Sequence, residues 1–318
     1  MFNHKFGIEI EFTGITRAKA MEVAATYFGG STRTGRDYYQ SSYVMAPDGR
    51  EWRFMSDASI SCQRKNGRQT VSAGSEYSVE LVSPILTYTE DIKAIQELVR
   101  RLRKAGGFTN DSCGIHVHLD GADHTPRSIR NFVNIVASKN DLFYKALQIP
   151  DGRMRFCKKM DAYLVERMNR QKPKTFQHIE TIWYEGYRES RNHRYHNSRY
   201  HFLNLHSFFS NSGNRTVELR GFNAELHAGK VRAYIALALA LNNHAISLKS
   251  ASSRKVQSDN EKFAMRVFLN RIGFIGEEFA SCRKHLYLHL DGNAAWRHGY
   301  DLRLDNPARN QEGEGANG

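Results

Sequence analysis

The sequence predicts an α+β fold, an antiparallel-dominated sheet with helices packed on its apolar face. Two observations carry this. Four short stretches alternate charged and apolar residues with the period of a strand. They read Gly7-Ile8-Glu9-Ile10-Glu11-Phe12, Val79-Glu80-Leu81-Val82, Gly114-Ile115-His116-Val117-His118-Leu119 and Val217-Glu218-Leu219-Arg220. Between them lie hairpin signals and amphipathic helical stripes, with few βαβ units.

Taken in order, the first strand ends near Thr13. A helix follows over about 17–28, with Thr16 as N-cap and Gly29-Gly30 as the stop. Residues 31–42, rich in Ser, Thr, Arg and Tyr, read as a loop. A hairpin over 43–57 turns at Pro47-Asp48-Gly49, and Trp52 and Phe54 alternate with Arg53 along its second arm. Residues 61–75 read as a polar loop. The strand at 76–83 is stopped by Pro84. A second helix over 90–104 buries Ile92, Ile95, Leu98, Val99 and Leu102, with Thr89 as its cap and Gly106-Gly107 as its end. A third starts at Thr125-Pro126 and buries Ile129, Phe132, Val133 and Val136.

Residues 151–198 are dense in Arg, Lys, His and Tyr and read as a basic insertion over the sheet, helical around 160–168. A second hairpin pairs 200–206 with 215–221 and turns at 211–214. Helices at 229–248 and 260–272 follow, the latter ended by Gly273. The organisation expected is a single catalytic domain over 1–305 carrying that insertion, with a disordered tail at 306–318.

The 318-residue chain has a formal net charge of +13. That excess favours acidic partners without choosing among them. Cys62, Cys113, Cys157 and Cys282 form no C-x-x-C pair, which suits a reducing cytoplasm. Cys113 reads as a buried packing residue rather than a nucleophile. Glu9 and Glu11 interrupt the first apolar run, so no secretory core is expected, and the apolar run 233–241 is too short to span a bilayer. A cytoplasmic location with no membrane partner is the expectation.

The polar phase of the four strands gathers Glu9, Glu11, Glu80, His116, His118, Glu218 and Arg220 on one face. Carboxylates packed side by side require a cation between them, which points to a divalent metal site spread over a sheet. Each pair alone stays open. Glu9 and Glu11 fit a pair of Mg²⁺ or Mn²⁺ ions, or a half-exposed strand. His116 and His118 fit zinc, one metal ligand plus one substrate contact, or two satisfied surface histidines. Glu218 and Arg220 fit metal beside phosphate, or a simple ion pair. Asp57 and Ser59 form either an acidic loop that handles an amine or an ordinary Asx turn. No Gly-rich phosphate loop is present, so a nucleotide would be held by metals and arginines.

The series GIEIEF, WRFMSDASI, VELVSP, CGIHVHLD, RYHFLNL and TVELRGFNAEL resembles the amidoligase family, within the superfamily of glutamine synthetase and glutamate–cysteine ligase. The matching blocks lie between Phe6 and Leu226. The resemblance implies a curved antiparallel sheet carrying ATP and two or three divalent ions, Mg²⁺ or Mn²⁺. The implied chemistry is ATP-dependent joining of a carboxylate to an amine through an acyl phosphate. Glu9, Glu11, Glu80, His116 and Glu218 would then be metal ligands. Arg220, assisted by Arg199, would hold the transferring phosphoryl group, and Asp57 would position or deprotonate the amine. Ser59, His118 and Asn204 would lie near substrate or nucleotide. Ala58 stands where the superfamily often has Gly. The insertion and the loop over 31–42 are candidate lids, because an acyl phosphate must be kept from water.

Two other readings remain at this level. One is a metal-dependent hydrolase using the His116/His118 pair. The other is a nucleic-acid-binding protein built on the basic segment 188–201, a less favoured one. For a ligase, the partners are a carboxylate and an amine, with an acidic peptide or polymer among the candidates for one of them.

Overall fold

The computed structural model describes residues 4–209, 215–255 and 258–297. Its frame is an eight-stranded sheet in which every neighbouring pair is antiparallel, in the order β2-β3-β4-β7-β1-β8-β10-β9. In chain order, β1 (Phe6–Phe12) leads into α1 (Arg17–Phe28), and β2 (Ser31–Thr34), β3 (Ser42–Met45) and β4 (Glu51–Met55) form the sheet's first edge. A separate ribbon, β5 (Gln63–Asn66) and β6 (Gln69–Ser72), precedes β7 (Val79–Val82). Then come α2 (Tyr88–Lys104), β8 (Gly114–Asp120), α3 (Pro126–Ala146), α4 (Ala162–Gln171) and α5 (Phe176–Trp183). The short β9 (Leu203–Asn204) and α6 (His206–Phe209) lead to β10 (Thr216–Asn223), and α7 (Ala228–Ser247), α8 (Glu261–Arg271) and α9 (Ala280–Tyr287) close the described chain.

The period-2 pattern does what it predicts. Ile8, Ile10, Phe12, Val79, Leu81, Ile115, Val117, Leu119, Val217 and Leu219 are all buried on one face of the sheet. Fully burying each such side chain contributes about 1.5–3 kcal/mol, so register is strongly specified. A one-residue slip would send the whole set to the other face. The helical stripes of α2 and α3 are buried as well. The apolar run 233–241 lies in α7, which packs against β8, α2, α3 and α9. A helix covered on all sides needs no polar face, which is why its sequence is apolar all round. No helix among the described residues is long and apolar enough to cross a membrane.

Local expectations differ from the structure in five places. Residues 31–34 form the edge strand β2 rather than loop, paired with β3. All four of its residues are exposed, so no alternation marks it. The polar stretch 61–75 contains the β5–β6 hairpin, whose turn is signalled by Asn66-Gly67, with Gly67 at φ +60. The cap of α2 is Thr87 rather than Thr89, and the Asp91 carboxylate reaches back to accept from the Thr87 N–H at 2.8 Å. Pairing of 200–206 with 215–221 is confined to Leu203–Asn204, with α6 taking up the residues from His206. The stretch 151–198 holds two helices, α4 and α5, anchored by buried Leu164, Met168, Ile179, Ile182 and Trp183. The turn expected at 211–214 and the tail at 306–318 lie outside the described residues.

Candidate active site

Strand register alone assembles most of the polar face. Glu9 lies opposite His116, Glu11 opposite Glu80, and Glu218 opposite both His118 and Asn204. Because β1 is flanked by β7 and β8, its two glutamates sit at the centre of the cluster. A bulge in β10 between Leu219 and Phe222 lets Gly221 pass under Phe202, where an added Cβ would lie 1.9 Å from the ring. Bulges commonly re-aim a neighbouring side chain beside a site, and here the neighbour is Arg220.

The contacts are short. Glu9 Oε2 lies 2.9 Å from His116 Nδ1, and Glu9 Oε1 lies 3.1 Å from His118 Nε2. His116 also stands 3.7 Å from Glu218 and 3.8 Å from Glu11. Arg220 Nη1 pairs with Glu218 Oε1 at 2.9 Å, while Asn204 Nδ2 donates to Glu218 Oε2 at 2.5 Å. The backbone N–H of Gly114 donates to Glu11 Oε2 at 2.5 Å. Three overlapping groups bring one ligand atom per residue within 4.8 Å of one another: Glu9, Glu80 and His116; Glu9, His118 and Glu218; Glu11, Asp57 and Glu80.

Electrostatics divide the cluster. Burial pushes Glu80 well above the usual carboxylate range, and the charges of Glu9, Glu11 and Asp57 push it further. Burial likewise raises Glu11, with His116 opposing and Asp57 adding to the rise. Glu218 is equally buried, but the Arg220 guanidinium, then His118 and His116, hold it down at about 2. Burial would also raise Glu9, yet the charge of His118 and the close approach of both imidazoles bring it well below normal. For His118, burial is overcome by Glu9 and Glu218, and the ring is raised to about 9.

Glu80 accepts no hydrogen bond and joins no ion pair among the described residues, although only 7 % of it is exposed. A buried carboxylate without a protein partner is the residue type that a hard divalent cation requires. The oxygen-rich groups around it fit Mg²⁺ or Mn²⁺. His116 and His118 fall in different groups, so no group unites the two rings as a single zinc site would.

The remaining sequence candidates are placed as follows. Asp57 is at once an Asx turn, accepting from the Ser59 N–H at 2.6 Å, and a neighbour of Glu11 and Glu80. Its backbone is fixed by Ser78, whose hydroxyl accepts from the Asp57 N–H and donates to its carbonyl. Ser59 thus touches the site through its backbone. Arg199 stands behind Glu218 and helps to lower it, donating to the Arg194 carbonyl at 3.1 Å, with a buried Nε that has no partner among the described residues. Cys113 is buried and its thiol is pushed up to about 11, first by burial, in keeping with a packing role.

Sequence reasoning missed Arg153. It is buried, donates to the Phe222 carbonyl at 2.6 Å, and lies over Gly114, where a Cβ would meet its Nη2 at 2.2 Å. It is one arginine in an arginine-rich stretch, and no local signal sets it apart. Two arginines near the end of that stretch are engaged within the chain. Arg191 stacks over Tyr184 and pairs with Glu180 at 3.5 Å, and Arg194 stacks over Tyr39 and Tyr195.

A family model described as "Putative amidoligase enzyme" matches residues 3–242. The chain belongs to this amidoligase family. The match runs from just ahead of β1 into α7 and so includes every member of the cluster. Membership points to an enzyme, a ligase that forms amide bonds. No curated protein matches the chain.

Proposed function

We propose that this amidoligase is an ATP-dependent carboxylate–amine ligase working through an acyl phosphate, on a sheet of the glutamine synthetase type. The observation that supports it best is the convergence of Glu9, Glu11, Glu80, His116 and Glu218 from four strands onto one face. These five residues would hold two or three Mg²⁺ or Mn²⁺ ions. When bound, such ions neutralise the charge that develops on a transferring phosphoryl group.

The chain's own residues supply the rest. Arg220, held by Glu218, presents its guanidinium to the γ-phosphoryl group, and Arg199 adds positive charge from behind. The substrate carboxylate oxygen attacks phosphorus, ADP leaves, and an acyl phosphate forms. The acceptor amine then attacks the acyl carbon and expels phosphate, giving the amide. Asp57, aimed by its turn towards Glu11 and Glu80, holds the ammonium and takes its proton. His118 and Asn204 border the seat of substrate or nucleotide. The stretch 151–198 and the loop over 35–41, which joins β2 to β3, act as lids. The Tyr39 and Tyr195 hydroxyls lie 2.7 Å apart, so the lids meet. Residues 1–305 would work as one catalytic domain in the cytoplasm.

An ADP-release screen with Mg²⁺ or Mn²⁺ over panels of carboxylates and amines tests this reading. ADP should form only when both substrate classes are present, and should fall to background in Glu9→Gln and Arg220→Ala. Turnover that needs no ATP, or equal turnover by all three proteins, would overturn it.

A further inference from the structure

The polar face continues past Glu80 onto β4, and Arg53 sits there. In register Arg53 lies opposite Val82 and Met55 lies opposite Glu80, which makes Arg53 and Glu80 diagonal neighbours. Diagonal residues on adjacent strands are about 7–8 Å apart. Arg53 is half-buried, donates no hydrogen bond and joins no ion pair among the described residues. Glu80, diagonal to it, has no protein partner among the described residues either. The two opposite charges do not pair within 4 Å. With Glu80 assigned to metal, Arg53 is a cation left without a partner on the strand that leads to Asp57, and the two together complement a ligand carrying both signs.

We propose that Arg53 binds a carboxylate of the amine substrate, whose ammonium sits at Asp57, beside the metal-holding Glu11 and Glu80. The acceptor is therefore an amine that carries a carboxylate, as an amino acid or a peptide does, rather than a simple alkylamine. This rests on the ligase reading above. The alternative occupant of Arg53 is a nucleotide phosphate. Placement decides against it: Arg220 and Arg199 stand by Glu218 on the β10 side of the cluster, whereas Arg53 lies on the opposite side, on the strand that leads to Asp57. A planar guanidinium matches a carboxylate through two parallel bonds. Such charge-assisted bonds are worth about 1.5–3 kcal/mol, roughly 10–100-fold in affinity.

The test is direct binding, not turnover. Free amino acids and their carboxamides are titrated by calorimetry into the full chain with Mg²⁺ and ADP. ADP is titrated separately into wild type, Arg53→Ala and Arg53→Lys. At least one free amino acid should bind wild type about 10–100-fold more tightly than its amide. Arg53→Ala should abolish that preference, Arg53→Lys should restore part of it, and ADP affinity should stay within about twofold. The proposal is overturned if no free acid outbinds its amide, if Arg53→Ala keeps the preference, or if Arg53→Ala loses ADP instead. Failure of the ligase reading shows separately, as an ADP-release screen indifferent to Glu9→Gln.

Discussion

Two groups of histidines in this chain meet opposite fates. On the sheet, His118 stands between Glu9 and Glu218, and its ring is raised to about 9 against the burial that would lower it. Beyond β9, His206 is lowered to about 4 by burial first, then by His196 and Arg199. His206 is satisfied by Tyr184 at 2.7 Å and stacks on His196, which is in turn held by Ser198. His201 bonds the Ser198 carbonyl and is likewise lowered, first by burial. The second group is structural: neutral rings with neutral partners. The first is set among carboxylates, one of which, Glu80, has no partner among the described residues. Histidine content therefore says little about chemistry, and the sign of the surroundings says much.

The sharpest way to break that contrast is to remove charge from each group. Glu9→Gln and Glu218→Gln should each lower ligase turnover by on the order of 10²-fold or more, because ligand and charge are lost together. His206→Gln should change turnover by less than about tenfold, because His206 only supports the wall. Steady-state ADP release measures both. Comparable losses would erase the distinction.

Stability offers the next contrast. Arg220→Ala leaves Glu218 buried without its guanidinium, which should cost about 3–5 kcal/mol in denaturant unfolding. Adding Glu218→Gln should return part of that loss. Glu80→Gln should raise the melting temperature of chelator-treated protein, since it removes a partnerless charge beside Glu9, Glu11 and Asp57. A drop in melting temperature would mean that Glu80 is already neutralised by the chain itself.

The pH dependence of the two groups should run in opposite directions. The folded-state value of His206 is depressed, so the unfolded chain takes up the proton first as pH falls. Its contribution is intact above about 6.5 and is lost between there and about 4, by on the order of 1–3 kcal/mol. That of His118 is elevated, so in metal-free protein its contribution is full below about 6.5 and is lost as pH rises through about 9. Melting curves across pH should show His206→Gln flattening the acid limb and His118→Gln flattening the alkaline one. The smallest effect belongs to Cys113→Ser, which should keep turnover within about twofold and cost on the order of 1 kcal/mol. A large loss of activity there would reopen the nucleophile.

Much of this site was legible in the chain because strands encode their faces with a period of two. Once Ile8, Ile10 and Phe12 are assigned to the core, Glu9 and Glu11 have one direction left, and the same holds for β7, β8 and β10. What the pattern lacks is order across the sheet: that β1 is central and that β7 and β8 flank it follows from pairing, which leaves no local mark. β2 was invisible because both of its faces are exposed, and α6 because four residues are too few for a helical period. Arg153 was hidden in a basic stretch, since only its burial against Gly114 distinguishes it. Arg53 had been marked by its alternation with Trp52 and Phe54, but its freedom from partners exists only in three dimensions.

Binding of Mn²⁺ to chelator-treated protein, followed by calorimetry in wild type and Glu9→Gln, tests the central claim most directly. We expect saturable uptake of two or more ions by wild type, weakened by about 10–100-fold in the variant. A wild-type protein that takes up no Mn²⁺, or a variant that binds it equally well, would contradict a metal-centred sheet.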